Sequence, residues 1–147
     1  MIWTLKILCE WGRYLKKECI RTIEIDEEST LYDLHLYIQK IVEFENDHLF
    51  EFFMGRHFRN KKSFFEEDTW DFNYEEAMDN YSQMTLKEIY PLPKGLQLFY
   101  HFDFGDDWFF KITKSRKKSK PPEKVIDYPQ LIESVGPNPE QYQSWEE

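Results

Sequence analysis

The sequence is poor in cysteine and has no long apolar run. Its uninterrupted apolar runs are a few residues long, far short of the roughly 20 residues that a membrane-spanning helix needs, so we expect a soluble protein without a membrane partner. The first ten residues contain neither a basic leader nor a small-residue cleavage site, and we expect no signal peptide. Only two cysteines occur, Cys9 and Cys19, which predicts reduced, packed thiols in a cytoplasmic protein.

Positive charge is also scarce, because 28 acidic residues against 19 basic ones leave a formal net charge of −9. A surface of that sign repels phosphates and disfavours a nucleic-acid partner unless a local basic patch exists. Residues 113–124 form such a patch, with six bases and one acid. Its candidate contacts to nucleic acid are Lys114, Arg116, Lys117, Lys118 and Lys120. A solvated loop or an edge strand protected by lysines explains this segment as well.

Aromatic residues are abundant. The 147 residues include 13 Phe, 9 Tyr and 5 Trp, enough for a core of large flat side chains, and disorder is therefore disfavoured. The length fits one domain and is too short for two comfortable ones. We expect residues 1–147 to form a single domain.

The first third of the chain predicts a hairpin, a helix and a strand. Apolar residues alternate over residues 2–9 and again over 19–25, which is typical of two half-buried strands. From Thr30 the apolar spacing becomes helical, with Asp33 placed to complete a capping box. A third strand is predicted over residues 49–55. This order is the opening of a β-grasp-like layout, in which one sheet is covered by one helix.

The last third predicts a second hairpin. Aromatic residues alternate over residues 96–112, and Gly105 and Asp106 supply the turn. Thr85 is placed to cap a short helix before this hairpin, and residues 128–135 are interpreted as one or two amphipathic helical turns. Together the patterns predict an α+β fold around a β-grasp-like mixed sheet.

An acidic aromatic insertion separates these two parts. Residues 64–81 hold seven acids, six aromatics and no base, and they follow neither the strand nor the helix period. A long irregular segment is uncommon in a compact domain unless it serves binding. We therefore predict a protein-binding surface with these residues: Trp70, Asp71, Phe72, Glu75 and Glu76. Alternatives are aromatics folded back on the core, DNA-mimic-like binding of a DNA-binding protein, and a homodimer.

The tip of the second hairpin carries the candidate chemistry. His101, Asp103, Asp106 and Asp107 offer oxygen and nitrogen ligands for a hard cation, or an acid–base pair. Their spacing matches no established metal loop, and Asp is favoured at tight turns because it bonds neighbouring backbone. We therefore favour an architectural role, predict no cofactor, and keep a metal-dependent or acid–base enzyme as an alternative.

Four stretches resemble, in their order along the chain, the plasmid ORF-three-like family, named from a root-inducing plasmid and including insertion-element passenger proteins. The stretches are residues 5–7, residues 30–39 running on to 48–52, residues 103–108 and residues 128–142. The resemblance implies a compact α+β fold built around a β-grasp-like sheet and a prokaryotic or mobile-element context, and it supplies no activity.

Two positions depart from the pattern of that family. Phe110 stands where the family typically has His, and Arg21 alone remains of a Trp-Arg-Arg-like second strand. If the family has a polar site there, this chain lacks part of it. The sequence therefore predicts a non-enzymatic binding or interaction module, with the enzyme and the nucleic-acid binder as alternatives.

Overall fold

The computed structural model describes residues 1–62 and 74–142. Within these ranges the chain forms six strands and three helices, which are β1 (Ile2–Trp11), β2 (Ile20–Asp26), α1 (Leu31–Ile41), β3 (Phe50–Gly55), α2 (Tyr74–Tyr81), α3 (Leu86–Ile89), β4 (Gln97–Phe102), β5 (Trp108–Lys114) and β6 (Gln130–Val135). The strands make one sheet in the order β3-β4-β5-β1-β2-β6. None of the described helices is long and apolar enough to cross a membrane.

The α+β class and the order of hairpin, helix and strand are confirmed, whereas the predicted mixed sheet is wrong. All five pairings between the described strands are antiparallel, and a β-grasp in particular is not confirmed. Residue alternation within a strand shows which face is buried but not the direction of its neighbour. Here β5 takes its direction from the β4–β5 hairpin and then pairs antiparallel with β1, which is about a hundred residues away in sequence.

One face of the sheet and α1 form the core. The fully buried residues on this face of β1 and β2 are Leu5, Ile7, Ile23 and Ile25, and those of α1 are Leu31, Leu34 and Ile38. The capping box that positions α1 is confirmed, because Thr30 Oγ1 accepts from the Asp33 N–H (3.1 Å) and Asp33 Oδ2 accepts from the Thr30 N–H (2.9 Å). Thr85 likewise caps α3.

Two segments take a different secondary structure from the predicted one. Residues 74–81 of the supposedly irregular insertion form α2, whose Ala77 and Tyr81 lie one turn apart and are buried. Residues 63–73 lie outside the described part. Residues 130–135 form a strand and not helical turns, because β2 has a free edge to which β6 pairs. Pairing with a distant strand overrides a weak local pattern of this kind.

The two hairpins are formed as predicted, with one difference at the second tip. Cys9 and Cys19 face each other across the first hairpin, where the Cys9 N–H donates to the Cys19 carbonyl (3.0 Å) and both are buried free thiols. At the second tip Asp103 has a φ of 62°, so the regular strand ends before it. Phe104 belongs to the aromatic alternation over residues 96–112, which predicts it on the same inward face as Tyr100 and Phe102, but it is therefore 40% exposed.

Candidate functional site

The four predicted residues of the hairpin tip do not gather at one point. Asp103 serves the turn, because its carboxylate accepts from two backbone N–H groups (3.0 and 3.2 Å). Asp106 pairs with Arg13 (3.5 Å), and Asp107 pairs with His101 (2.8 Å). The left-handed backbone at Asp103 separates it from His101, although an ideal strand would place both on one face. Within residues 1–62 and 74–142, no three His, Cys, Asp or Glu side chains form a group that could hold a metal ion.

His101 instead links two carboxylates on the sheet face opposite the core. Its Nδ1 lies 2.9 Å from Glu51 Oε2 and its Nε2 lies 2.8 Å from Asp107 Oδ1. The ring stacks on Phe109, with centroids 4.1 Å apart. Burial raises the pKa of Glu51, but hydrogen bonds from His101 and Lys61 outweigh it and hold that pKa below its ordinary value. Because every charged group here has a partner, we interpret the cluster as structural.

The predicted binding residues of the insertion are only partly described. Three of them lie outside the described residues: Trp70, Asp71 and Phe72. Glu75 and Glu76 occupy the exposed first turn of α2. The opposite side of α2 is anchored to the sheet edge, because the Tyr81 hydroxyl accepts from the Phe52 N–H (3.0 Å) and donates to the Phe52 carbonyl (3.1 Å). The two acids are thus presented by a helix that is fixed in place.

A cavity of about 730 Å³ lies between α2, α1 and the segment before β3, residues 46–49. We call it the acidic cleft. Its aromatic lining residues are Tyr32, His35, His48, Phe50 and Tyr74, and its acidic lining residues are Asp47 and Asp79. Tyr32 and Tyr74 each lie 6.3 Å from the Phe50 ring, measured between centroids. A cavity of this volume, with aromatic walls and a few polar groups, has the usual character of a binding site.

Residues 141 and 142, which we call the C-terminal segment, close one side of the cleft through hydrogen bonds. Gln141 Nε2 donates to Asp47 Oδ1 (2.7 Å), and the Tyr142 hydroxyl donates to the other Asp47 oxygen. His48 Nε2 lies 3.2 Å from the Tyr142 hydroxyl and 3.4 Å from Asp103 Oδ2. Burial raises the pKa of Asp47, but the hydrogen bonds from Tyr142 and Gln141 outweigh this effect and hold the pKa below its ordinary value. Asp47 is therefore ionised at neutral pH.

His35 forms the back wall of the cleft and is neutral at pH 7. Its Nδ1 lies 2.5 Å from the Tyr100 hydroxyl, which also accepts from Gln39 Nε2 (2.9 Å). The imidazole stacks on Phe50 with centroids 3.6 Å apart. Burial lowers the pKa of His35 to about 4. This buried ring therefore places no positive charge behind the cleft that would oppose a bound cation.

Sequence reasoning missed this cleft. His48, Asp103 and Tyr142 come from three of the four stretches that carry the family resemblance, and the fold brings them together across as many as 94 residues of chain. The stretches themselves were the available signal. Periodicity contained none, because it reports only which face of a single element is buried.

The basic segment is partly occupied by contacts within the chain. Lys114 Nζ lies 4.7 Å from the Trp3 ring centroid, and Lys120 Nζ pairs with Glu24 (2.8 Å). The hydrogen bond from Lys120 holds the pKa of Glu24 below its ordinary value. The three adjacent cations that project into solvent are Arg116, Lys117 and Lys118.

Comparison with known proteins gives a family and a fold. A family model described as plasmid pRiA4b ORF-3-like protein matches residues 9–142. A solved structure of a protein of unknown function from Methanosarcina mazei Go1 is similar, with 22% sequence identity and a TM-score of 0.63, over 90% of this chain and 68% of that one. At this identity the likeness shows the fold alone. No curated protein matches the sequence.

Proposed function

The chain belongs to the family of plasmid pRiA4b ORF-3-like proteins, and we propose that it is a non-enzymatic binding module that holds a basic segment of a protein partner at the acidic cleft. The family supplies no activity, so the proposal depends on geometry. The observation that carries it is α2, which Tyr81 fixes to the sheet edge so that its acids stand beside an aromatic-walled cavity.

The chemistry of the acidic cleft favours a cation. Asp47 and Asp79 line the cleft. Asp79 belongs to α2, which also carries Glu75 and Glu76 on its exposed first turn. A lysine or arginine side chain of a partner would lie over the tyrosine rings, where cation–π attraction contributes about 0.5–1 kcal/mol at an exposed site. Each exposed ion pair adds up to about 1 kcal/mol and weakens with salt. We therefore expect binding that falls steeply as salt is added.

The predicted residues Trp70, Asp71 and Phe72 belong to the same proposal. They precede α2 in the sequence, separated from it by Asn73, and we propose that they contact the same partner. Large aromatic side chains among acids are the composition that a basic, partly apolar segment would contact.

The test uses two double variants with the same change of charge. Glu75→Lys with Glu76→Lys reverses the charge of the exposed first turn of α2. Glu18→Lys with Glu133→Lys reverses the charge of two exposed acids elsewhere. Proteins captured from lysate by the immobilised chain are identified, and the affinity of each for the three forms is measured at two salt concentrations. We expect the α2 variant to lose about tenfold or more in affinity and the control to lose little.

The outcome separates three cases. Loss confined to the α2 variant supports the acidic cleft. Equal loss in both variants shows that net charge alone attracts the partner. Unchanged capture by the α2 variant places the binding surface elsewhere and refutes the proposal.

A second candidate is contact with nucleic acid through the basic segment. Its support is the exposed run of Arg116, Lys117 and Lys118. Because phosphate neutralisation releases counterions, the affinity for short DNA or RNA would fall steeply with added salt. Absence of binding at low salt would remove this candidate.

A further inference from the structure

A second cavity, of about 770 Å³, lies where β1 begins and β5 ends. We call it the lysine groove. Its lining residues are Trp3, residues 90–97 and residues 111–114. We propose that the lysine groove binds an anionic ligand that carries an aromatic ring, such as an aryl carboxylate or an aryl sulfonate. This inference does not depend on the proposed function of the acidic cleft.

The walls of the groove are flat, apolar and held in place. Trp3 is largely buried, and the Tyr90 ring meets it edge-on, with centroids 5.8 Å apart and an interplanar angle of 84°. The Tyr90 hydroxyl donates to the Ile112 carbonyl (3.2 Å), so this polar atom is satisfied and its ring stays against the sheet. The remaining apolar lining residues are Pro91, Leu92, Pro93 and Leu96. An aromatic ring would pack against such walls by offset or edge-on contact.

The charge of the groove is opposite to that of the whole chain. Its lining residues include three lysines and no acid, although the chain carries a net charge of −9. Lys111 is paired with Glu10 (3.3 Å). Lys94 and Lys114 make no ion pair within the described part of the chain. Two cations are therefore available to an anion at the rim of an apolar cavity.

Lys114 connects the charge with the aromatic wall. Its Nζ lies over the Trp3 ring, 4.7 Å from the centroid, so the ammonium is held at the aromatic wall of the groove. A ligand with both parts gains from both contacts. A neutral ring gains only packing, an aliphatic anion gains only the ion pair, and a cation is repelled. This combination commits the groove to an aromatic anion over the other classes of ligand.

The test compares two fluorescent probes of nearly the same shape. Anilinonaphthalene sulfonate carries the anion and the rings, whereas N-phenylnaphthylamine has the rings without the sulfonate. The purified full chain is titrated with each probe. We expect saturable binding of one sulfonate probe per chain. Lys114→Glu should lower the affinity for that probe about tenfold or more and leave the affinity for the neutral probe nearly unchanged.

Lys118→Glu is the matched control, because it makes the same change of charge at an exposed position outside the groove. It should leave the affinity for both probes unchanged. Thermal unfolding followed by circular dichroism shows whether each variant is folded. If Lys114→Glu is not folded, Lys114→Gln, which removes the positive charge without introducing a negative one, takes its place with a smaller but still selective loss of affinity for the sulfonate probe.

Three results would overturn the inference. In the first, binding of the sulfonate probe to the wild-type chain does not saturate. In the second, Lys114→Glu and Lys118→Glu lower the affinity for the sulfonate probe equally. In the third, Lys114→Glu lowers the affinity for both probes equally. The first means that no such site exists, the second that the attraction is not local, and the third that the lysine does not select an anion. None of these results bears on the acidic cleft.

Discussion

The acidic cleft and the lysine groove have similar volumes, about 730 and 770 Å³, and opposite charge. They lie at opposite ends of the same strands, because Phe50 pairs with Phe102 at the acidic end and Gly55 pairs with Gln97 at the other. One sheet thus separates a cavity suited to cations from a cavity suited to anions. With 28 acids in the chain, the exclusion of carboxylates from the groove lining is the more unusual of the two.

The two ends also differ in what holds them together. At the acidic end, hydrogen bonds join Asp47 to the C-terminal segment and His35 to Tyr100. At the groove, aromatic packing of Trp3 against Tyr90 dominates, with one hydroxyl bond. Buried polar networks cost stability when one member is removed or protonated, whereas apolar contacts do not respond to pH. Removing single groups should therefore affect the acidic end more than the groove.

The largest effect is expected from removing the hydroxyl of Tyr81. Tyr81→Phe leaves both the N–H and the carbonyl of Phe52 without this partner, which we expect to cost about 3 kcal/mol in the free energy of unfolding. Tyr90→Phe removes one bond in the groove and should cost about 1 kcal/mol. Urea unfolding of the two variants compares them directly. Equal losses would contradict the difference that we draw between the two ends.

The next effect is a dependence of stability on pH that originates at His35. Its pKa is lowered from 6.5 to about 4 in the folded chain, so the unfolded chain binds a proton between these values that the folded chain does not. Stability should fall as pH falls through this window, and the change from pH 7 to pH 5 should be about 2 kcal/mol. Below about pH 4 this contribution levels off.

Carboxylates also lose stabilising interactions in acid, since the pKa values of Glu51 and Asp47 are lowered, so a difference between variants is the measurement. His35→Gln should abolish the contribution of His35. His57→Gln, at an exposed histidine, should keep it. Parallel pH profiles for wild type and His35→Gln would show that His35 is protonated in the folded chain as readily as in the unfolded one.

The smallest effects are expected at the two rims. Tyr142→Phe removes a hydroxyl that donates to Asp47 and lies next to His48, and we expect a loss of about 1 kcal/mol because the site is partly exposed. Lys114→Met removes the ammonium over Trp3 and should cost about 0.5 kcal/mol. Thermal unfolding of both variants provides the measurement. A larger loss for Lys114→Met would reverse the order of the two ends.

Local elements were predictable because their signals lie within a few residues. Thr30 and Asp33 predict the start of α1 and cap it, and Thr85 predicts and caps the start of α3. The hairpins follow from alternation around a turn. In contrast, β6 is a strand because β2 offers it a free edge more than a hundred residues earlier, and no local pattern contains that information.

The candidate site was less predictable than the fold. Among the acids of the hairpin tip, Asp103 has the turn-forming role that we favoured. The strand ends before it, at Phe102, because Asp103 has a positive φ, and His101 pairs with Glu51 and Asp107. The acidic cleft depends on side chains from α1, α2 and the segment before β3, with the C-terminal segment closing one side. Their approach is a property of the whole fold.

By itself, the sequence of this protein determined its class, its most local elements and its charge, since composition, residue period and capping act over short distances. Only the tertiary structure decided the antiparallel order of the sheet, the helix within the insertion and the segregation of opposite charges to its two ends. The reason is physical: strand pairing and cavity walls arise from contacts between residues far apart in the chain, and such contacts exist only after the chain has folded.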